Sequence, residues 1–196
     1  METDFFNDDF FSVSDGNEKM LKASETVALK LKLKNEYRRA ASEIKLLDMD
    51  FDFEEGDSYH FMTAGDVDAL SFLSLILRQQ KIKELYMSTW VAAQNDVDYL
   101  EKKIKDGRIG ILKSFVGEIF KKQYPSVYNS LSKISEVKSA KNHSKIWAGR
   151  GEKFDFHIEM SCNINTNPRI ENACIVIGGD GFEFYKQFFD GLRANW

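Results

Sequence analysis

Cysteine and uninterrupted apolar stretches are scarce in this chain. Two cysteines, Cys162 and Cys174, occur among 196 residues without a CxxC pair, which excludes a disulfide-stapled scaffold and makes a reducing compartment the simpler expectation. The longest apolar stretch, Ala69 to Leu77, contains two serines and falls far short of the ~20 residues that cross a bilayer. The N-terminus is acidic and has no basic region leading into an apolar core, so no secretory signal is expected and the cytoplasm is the expected location. No His, Asp and Cys cluster has metal-ligand spacing, and no internal repeat or low-complexity tract is present.

What the chain does contain is typical of a soluble globular domain: hydrophobic residues make up 43% and charged residues 30%. The net charge of −4 is unevenly spread. Between Lys102 and Lys153, 13 Lys and Arg face 4 acids, a local balance of +9 that leaves −13 elsewhere. Such a segment suits a polyanion if folding gathers it, and otherwise makes an ordinary solvated surface. Residues 1–16 carry five acids, no base and Phe at 5, 6, 10 and 11; they read as a flexible tail or as a docking peptide for a protein partner.

Asp15 and Asn17 are candidate N-caps for a long N-terminal helix expected over about 18–46. An acidic linker with Asp48, Asp50 and Asp52 follows. It lacks the Gly and Glu of a calcium loop, having Phe53 and Tyr59 at those places. The domain organisation expected is therefore a tail (1–16), a helix with linker (17–55) and a main domain (56–196). Within the main domain, "SYHFMT", "KELYMSTW" and "RIGILKS" read as strands alternating with helices in "DVDALSFLSLILRQQ" and "NDVDYLEKKIKDG", the latter closed by Gly107. This βαβαβ order predicts an α/β fold with a mixed, largely parallel sheet sandwiched between helices. Helical turns are expected around "VGEIFKKQY" and "SVYNSLSKI", parted by Pro125. A hairpin of "HSKIWA" and "FDFHIEMS", a buried strand "NACIVIG" and a closing helix "FEFYKQFFDGL" complete the pattern.

On a strand, residues i and i+2 share a face, so His143 and Lys145 point together, and so do Ser161 and Asn163 at the end of the neighbouring strand. An imidazole, an ammonium, a hydroxyl and an amide suit one phosphate. The order H-x-K, then S-x-N, then Glu171 opening an apolar strand resembles the phospholipase D superfamily, in particular small members with one motif per chain, typified by bacterial endonucleases. "GDSYHFMTAGDVDALSFL", "ELYMSTW", "VYNSL", "KNHSKIW" and "NTNPRIE" are similar to landmarks of a phospholipase D-like group of bacterial and phage genomes, over about residues 56–190.

The resemblance implies a phospholipase D-like α-β-α domain and phosphodiester transfer through a phosphohistidine, with a second His protonating the leaving oxygen. One motif per chain then requires a homodimer. Lys145, Ser161 and Asn163 would hold the phosphate oxygens, with Arg169 reaching the same group, and Glu171 would orient the imidazole. No cofactor is implied. The expected partner is nucleic acid, DNA before RNA, and not a membrane; the setting is a bacterial or phage-infected cell. The pattern departs at two places: Arg150 stands where the family has Asp, with Asp155 a candidate replacement, and Met160 stands where Gly usually precedes the Ser. The alternative is therefore a catalytically degenerate DNA-binding or interaction protein that keeps the phosphate pocket. His60 reads as structural, His157 as structural or on the surface, Trp90 as core packing near a strand end that the resemblance places close to the site, and Cys162 as non-nucleophilic.

Overall fold

A computed structural model of the chain describes residues 51–65, 67–164 and 169–192, all within one compact unit spanning 35–196. The expected tail and long N-terminal helix lie outside the described residues. The strands are β1 (Ser58–Thr63), β2 (Ile82–Thr89), β3 (Ile109–Gly117), β4 (Glu136–Ala140), β5 (Ile146–Gly151), β6 (Asp155–Met160) and β7 (Glu171–Ile177). The helices are α1 (Ala69–Gln79), α2 (Gln94–Lys105), the single turn α3 (Phe120–Gln123), α4 (Pro125–Ile134) and α5 (Gly179–Gly191).

The seven strands form one sheet in the order β1-β7-β6-β5-β2-β3-β4. The expected mixed α/β layering is present, but the balance of pairings is corrected. Only β2–β3 and β3–β4 pair in parallel, while β1–β7, β7–β6, β6–β5 and β5–β2 are antiparallel. The reason lies in strand order. Followed through the pairings, β1, β2, β3, β4 and β6 all run one way, so the helical crossovers do impose a common direction. The β5–β6–β7 meander then inserts itself between β1 and β2, so that one possible parallel contact gives way to four antiparallel ones.

Period-2 alternation sends one set of side chains to each face. One face receives Leu85, Met87, Leu112, Trp147, Ile158 and Ile175, which pack with Leu73 and Ile76 of α1, Val97 and Leu100 of α2 and Leu131 of α4 in the larger core. The other face carries Tyr86, Phe115 and Ala148 under Phe182 and Phe189 of α5. The apolar run of α1 is buried along nearly its whole length, as expected of a helix hydrophobic on all sides. Asp68 caps it by accepting from the Ser71 amide at 2.9 Å. Gly107, at φ +66°, closes α2 in a backbone region that an L side chain rarely adopts. Ahead of β1, Phe51 and Phe53 join the larger core, packing on Tyr59 and Phe61.

Candidate active site

Strand direction decides where the polar residues meet. The carboxyl ends of β2, β3 and β6 lie at the same edge of the sheet as the starts of β5 and β7, since Ser88 pairs with Ile146, Thr89 with Val116, Ile146 with Glu159 and Met160 with Ala173. Such an edge is where open α/β sheets place ligands.

His143 and Lys145 lie on an extended segment just before β5 rather than inside a strand. The intervening Ser144 is tied down. Its hydroxyl lies 2.6 Å from that of Ser88 on β2, and its backbone N–H donates to Asn142 Oδ1 at 3.1 Å. Asn142 Nδ2 donates in turn to the Phe115 carbonyl on β3 and to Ser88 Oγ, both at 2.9 Å. With Ser144 turned inward, the flanking side chains point outward together. The Lys145 ammonium sits 2.9 Å from His143 Nδ1 and 2.6 Å from the His143 carbonyl oxygen. His143 is exposed and Lys145 half-buried. Burial pushes the Lys145 ammonium below its ordinary value of 10.5, against the opposing pull of Glu171 and Cys162.

Ser161 and Asn163 lie just beyond β6 and turn towards different neighbours. Ser161 donates its hydroxyl proton to Glu171 and accepts the Asn172 N–H at 3.0 Å. Asn163 Oδ1 accepts the Trp90 N–H at 3.2 Å, leaving its Nδ2 as the end able to donate to an anion. The Trp90 ring stands 5.4 Å from that of His143. Lys145, His143, Trp90 and Asn163 therefore form one contiguous row, and Glu171, at the first position of β7, touches it through charge on Lys145. Arg169 is exposed two residues before Glu171. Sequence reasoning does not single out Asn142 and Ser144 as parts of the site, and it reads Trp90 as core packing at a strand end that the resemblance places close to the site. The polar residues on either side of His143 were the available signal.

The two departures resolve into structure. Arg150 lies on β5 five residues past Lys145, roughly 16 Å along an extended strand. There it pairs with Asp155 at 3.4 Å and with Glu183 of α5, and it lies over the Phe182 ring. Met160 is 9% exposed within the larger core, so its bulk is directed inward, while its N–H donates to the Lys145 carbonyl at 3.1 Å. Cys162 is buried, and that burial pushes its thiol up to about 12, unsuited to nucleophilic work. His60 is on β1 beside Ser58 and Cys174. His157 is half-buried beneath α5 against Tyr185, with burial lowering its proton affinity. Of the chain's three histidines, His143 alone stands at this edge. Among the described residues no group of three or more His, Cys, Asp or Glu converges to hold a metal ion, and no helix is long and apolar enough to cross a membrane.

No family model matches the chain, and no curated protein matches it in sequence. Solved structures do match. The phospholipase D family member Nuc from Salmonella typhimurium superposes with a TM-score of 0.51 at 14% identity, over 69% of this chain and 91% of that one. NucT from Helicobacter pylori gives 0.54 at 15% identity, over 69% and 94%. TrmBL2, an archaeal chromatin protein described as binding DNA in a novel mode, gives 0.50 at 11% identity, over 85% and 63%. The fold is phospholipase D-like, and the row around His143 lies at the sheet edge of that fold.

Proposed function

We propose that the chain is a phospholipase D-like phosphodiesterase, a metal-independent nuclease that cuts DNA through a phosphohistidine in a homodimer. The observation that carries this reading is the exposed His143 imidazole with the Lys145 ammonium 2.9 Å away, at the carboxyl edge of the sheet. A neutral imidazole attacks phosphorus and the P–O bond to the leaving group breaks. The imidazolium of a second His143, from the partner subunit, gives its proton to the leaving oxygen. Water then loses a proton to that second imidazole and attacks the phosphohistidine, which frees both rings. Lys145 and the Asn163 amide hold the non-bridging oxygens, joined by Arg169. Ser161 would do so after exchanging its bond to Glu171, and Glu171 would orient an imidazole. A single chain has one imidazole at this edge, which supports a two-chain site.

The reading is tested by incubating the protein and its His143→Ala variant with single- and double-stranded DNA in excess EDTA. Cleavage by the unmodified protein alone is expected. Salt-sensitive retention of DNA by both without cleavage would replace the nuclease by the degenerate binder.

A further inference from the structure

Trp90 occupies an unusual seat. Its backbone is held from both sides, the N–H by Asn163 Oδ1 at 3.2 Å and the carbonyl by the Gly117 N–H at 3.2 Å. Its indole rests on Gly117, where an added Cβ would meet the six-membered ring at 2.7 Å. Gly117 therefore has no room for a side chain, because the indole and the Trp90 carbonyl oxygen, 2.9 Å from that position, fill the space. The exposed His143 ring lies beside the indole, tilted by 59° at a centroid distance of 5.4 Å. Despite this support the residue is only half-buried. A rigid, partly open aromatic surface thus lies within one ring's breadth of the nucleophile. A core residue would be closed over, whereas this one presents apolar area where the rest of the row is polar.

We propose that Trp90 is a specificity-determining residue of this site, stacking the nucleobase that flanks the phosphate attacked by His143. The inference rests on the phosphodiesterase reading and adds to it that the substrate is recognised by a base as well as by its backbone. Phosphate contacts carry no requirement for a base, while a π-face accepts any of the bases with little regard to sequence.

The test is a cycle between protein and ligand. In a His143→Asn background, which binds without turnover, affinities are measured for a short oligothymidylate and for an oligomer of equal length built wholly of abasic residues. Trp90→Ala is expected to weaken the oligothymidylate by about 5- to 150-fold and to leave the abasic oligomer unchanged. Trp90→Phe should keep most of the affinity. Gly117→Ala, which presses on both the indole and the Trp90 carbonyl without removing the ring, should reproduce the base-selective loss, with near-ultraviolet dichroism verifying that each variant is folded. Equal losses on the two oligomers, or none on either, would overturn the inference while leaving the phosphodiesterase reading intact. Failure of the His143→Asn protein to bind either oligomer, together with no cleavage by the unmodified protein, would remove that reading and this inference with it.

Discussion

The Lys145 ammonium is half-buried, and taking it out of water lowers its pKa below 10.5. In the proposed reaction a phosphate oxygen needs it charged, so the proposed cleavage should fall as pH rises through a value below that of an ordinary lysine. Lys145→Arg keeps its charge to higher pH and should move this alkaline limb upward, although a guanidinium matches the seat less well and lowers the maximum. A pH–rate profile of the two proteins checks this; an unmoved limb would assign the titration to another group. Asn142 acts at one remove, through Ser144 and the ends of β2 and β3. Asn142→Ala should lower kcat by about 100-fold with little change in KM, because misplacing a reacting group by about 1 Å costs that much. A loss confined to KM would place Asn142 in substrate binding instead.

Between elements, the hairpin that carries His143 depends on a contact at the far end of its strand. Gln80, 4% exposed at the end of α1, accepts the Lys153 and Phe154 amides on Oε1 at 2.8 and 3.1 Å and donates from Nε2 to the Phe154 carbonyl at 2.9 Å. It thereby supplies the backbone of the β5–β6 turn with partners it would otherwise find only in water. Gln80→Ala leaves these groups unpaired and should cost about 2–4 kcal/mol, read from the shift in denaturant midpoint at constant slope. A shift within about 0.5 kcal/mol would mean that the turn holds itself. On the other face, Arg150 joins the hairpin to α5 through Asp155 and Glu183. The element least visible in sequence was β4. "EVKSA" has no apolar alternation and is half-exposed along most of its length, so its strand character comes from parallel pairing with β3. For the same reason β3 runs on to Gly117, where helical turns were expected from Val116.

At the scale of the whole molecule, the proposed mechanism needs two imidazoles and the chain offers one at this edge. If two chains share a site, a dimer of one intact and one His143→Ala subunit is inert. Equal mixtures refolded together should then retain about a quarter of the activity, against about half if each chain works alone. Measuring the rate against the fraction of variant, with sizing in solution, separates the two.

Alternating and helical hydrophobic periods sufficed to mark six of the seven strands and the principal helices, because burial of a face is written into local spacing. The H-x-K spacing likewise announced that His143 and Lys145 would meet, since extended backbone returns to the same side at every second residue. Tertiary structure alone decided that β5, β6 and β7 come between β1 and β2, that Ser161 turns to Glu171 while Asn163 turns to Trp90, and that Arg150 is a clamp for α5. Each of these depends on which segments, distant in sequence, become neighbours. That choice is made by the competition of whole faces for burial, a quantity no local window of residues contains.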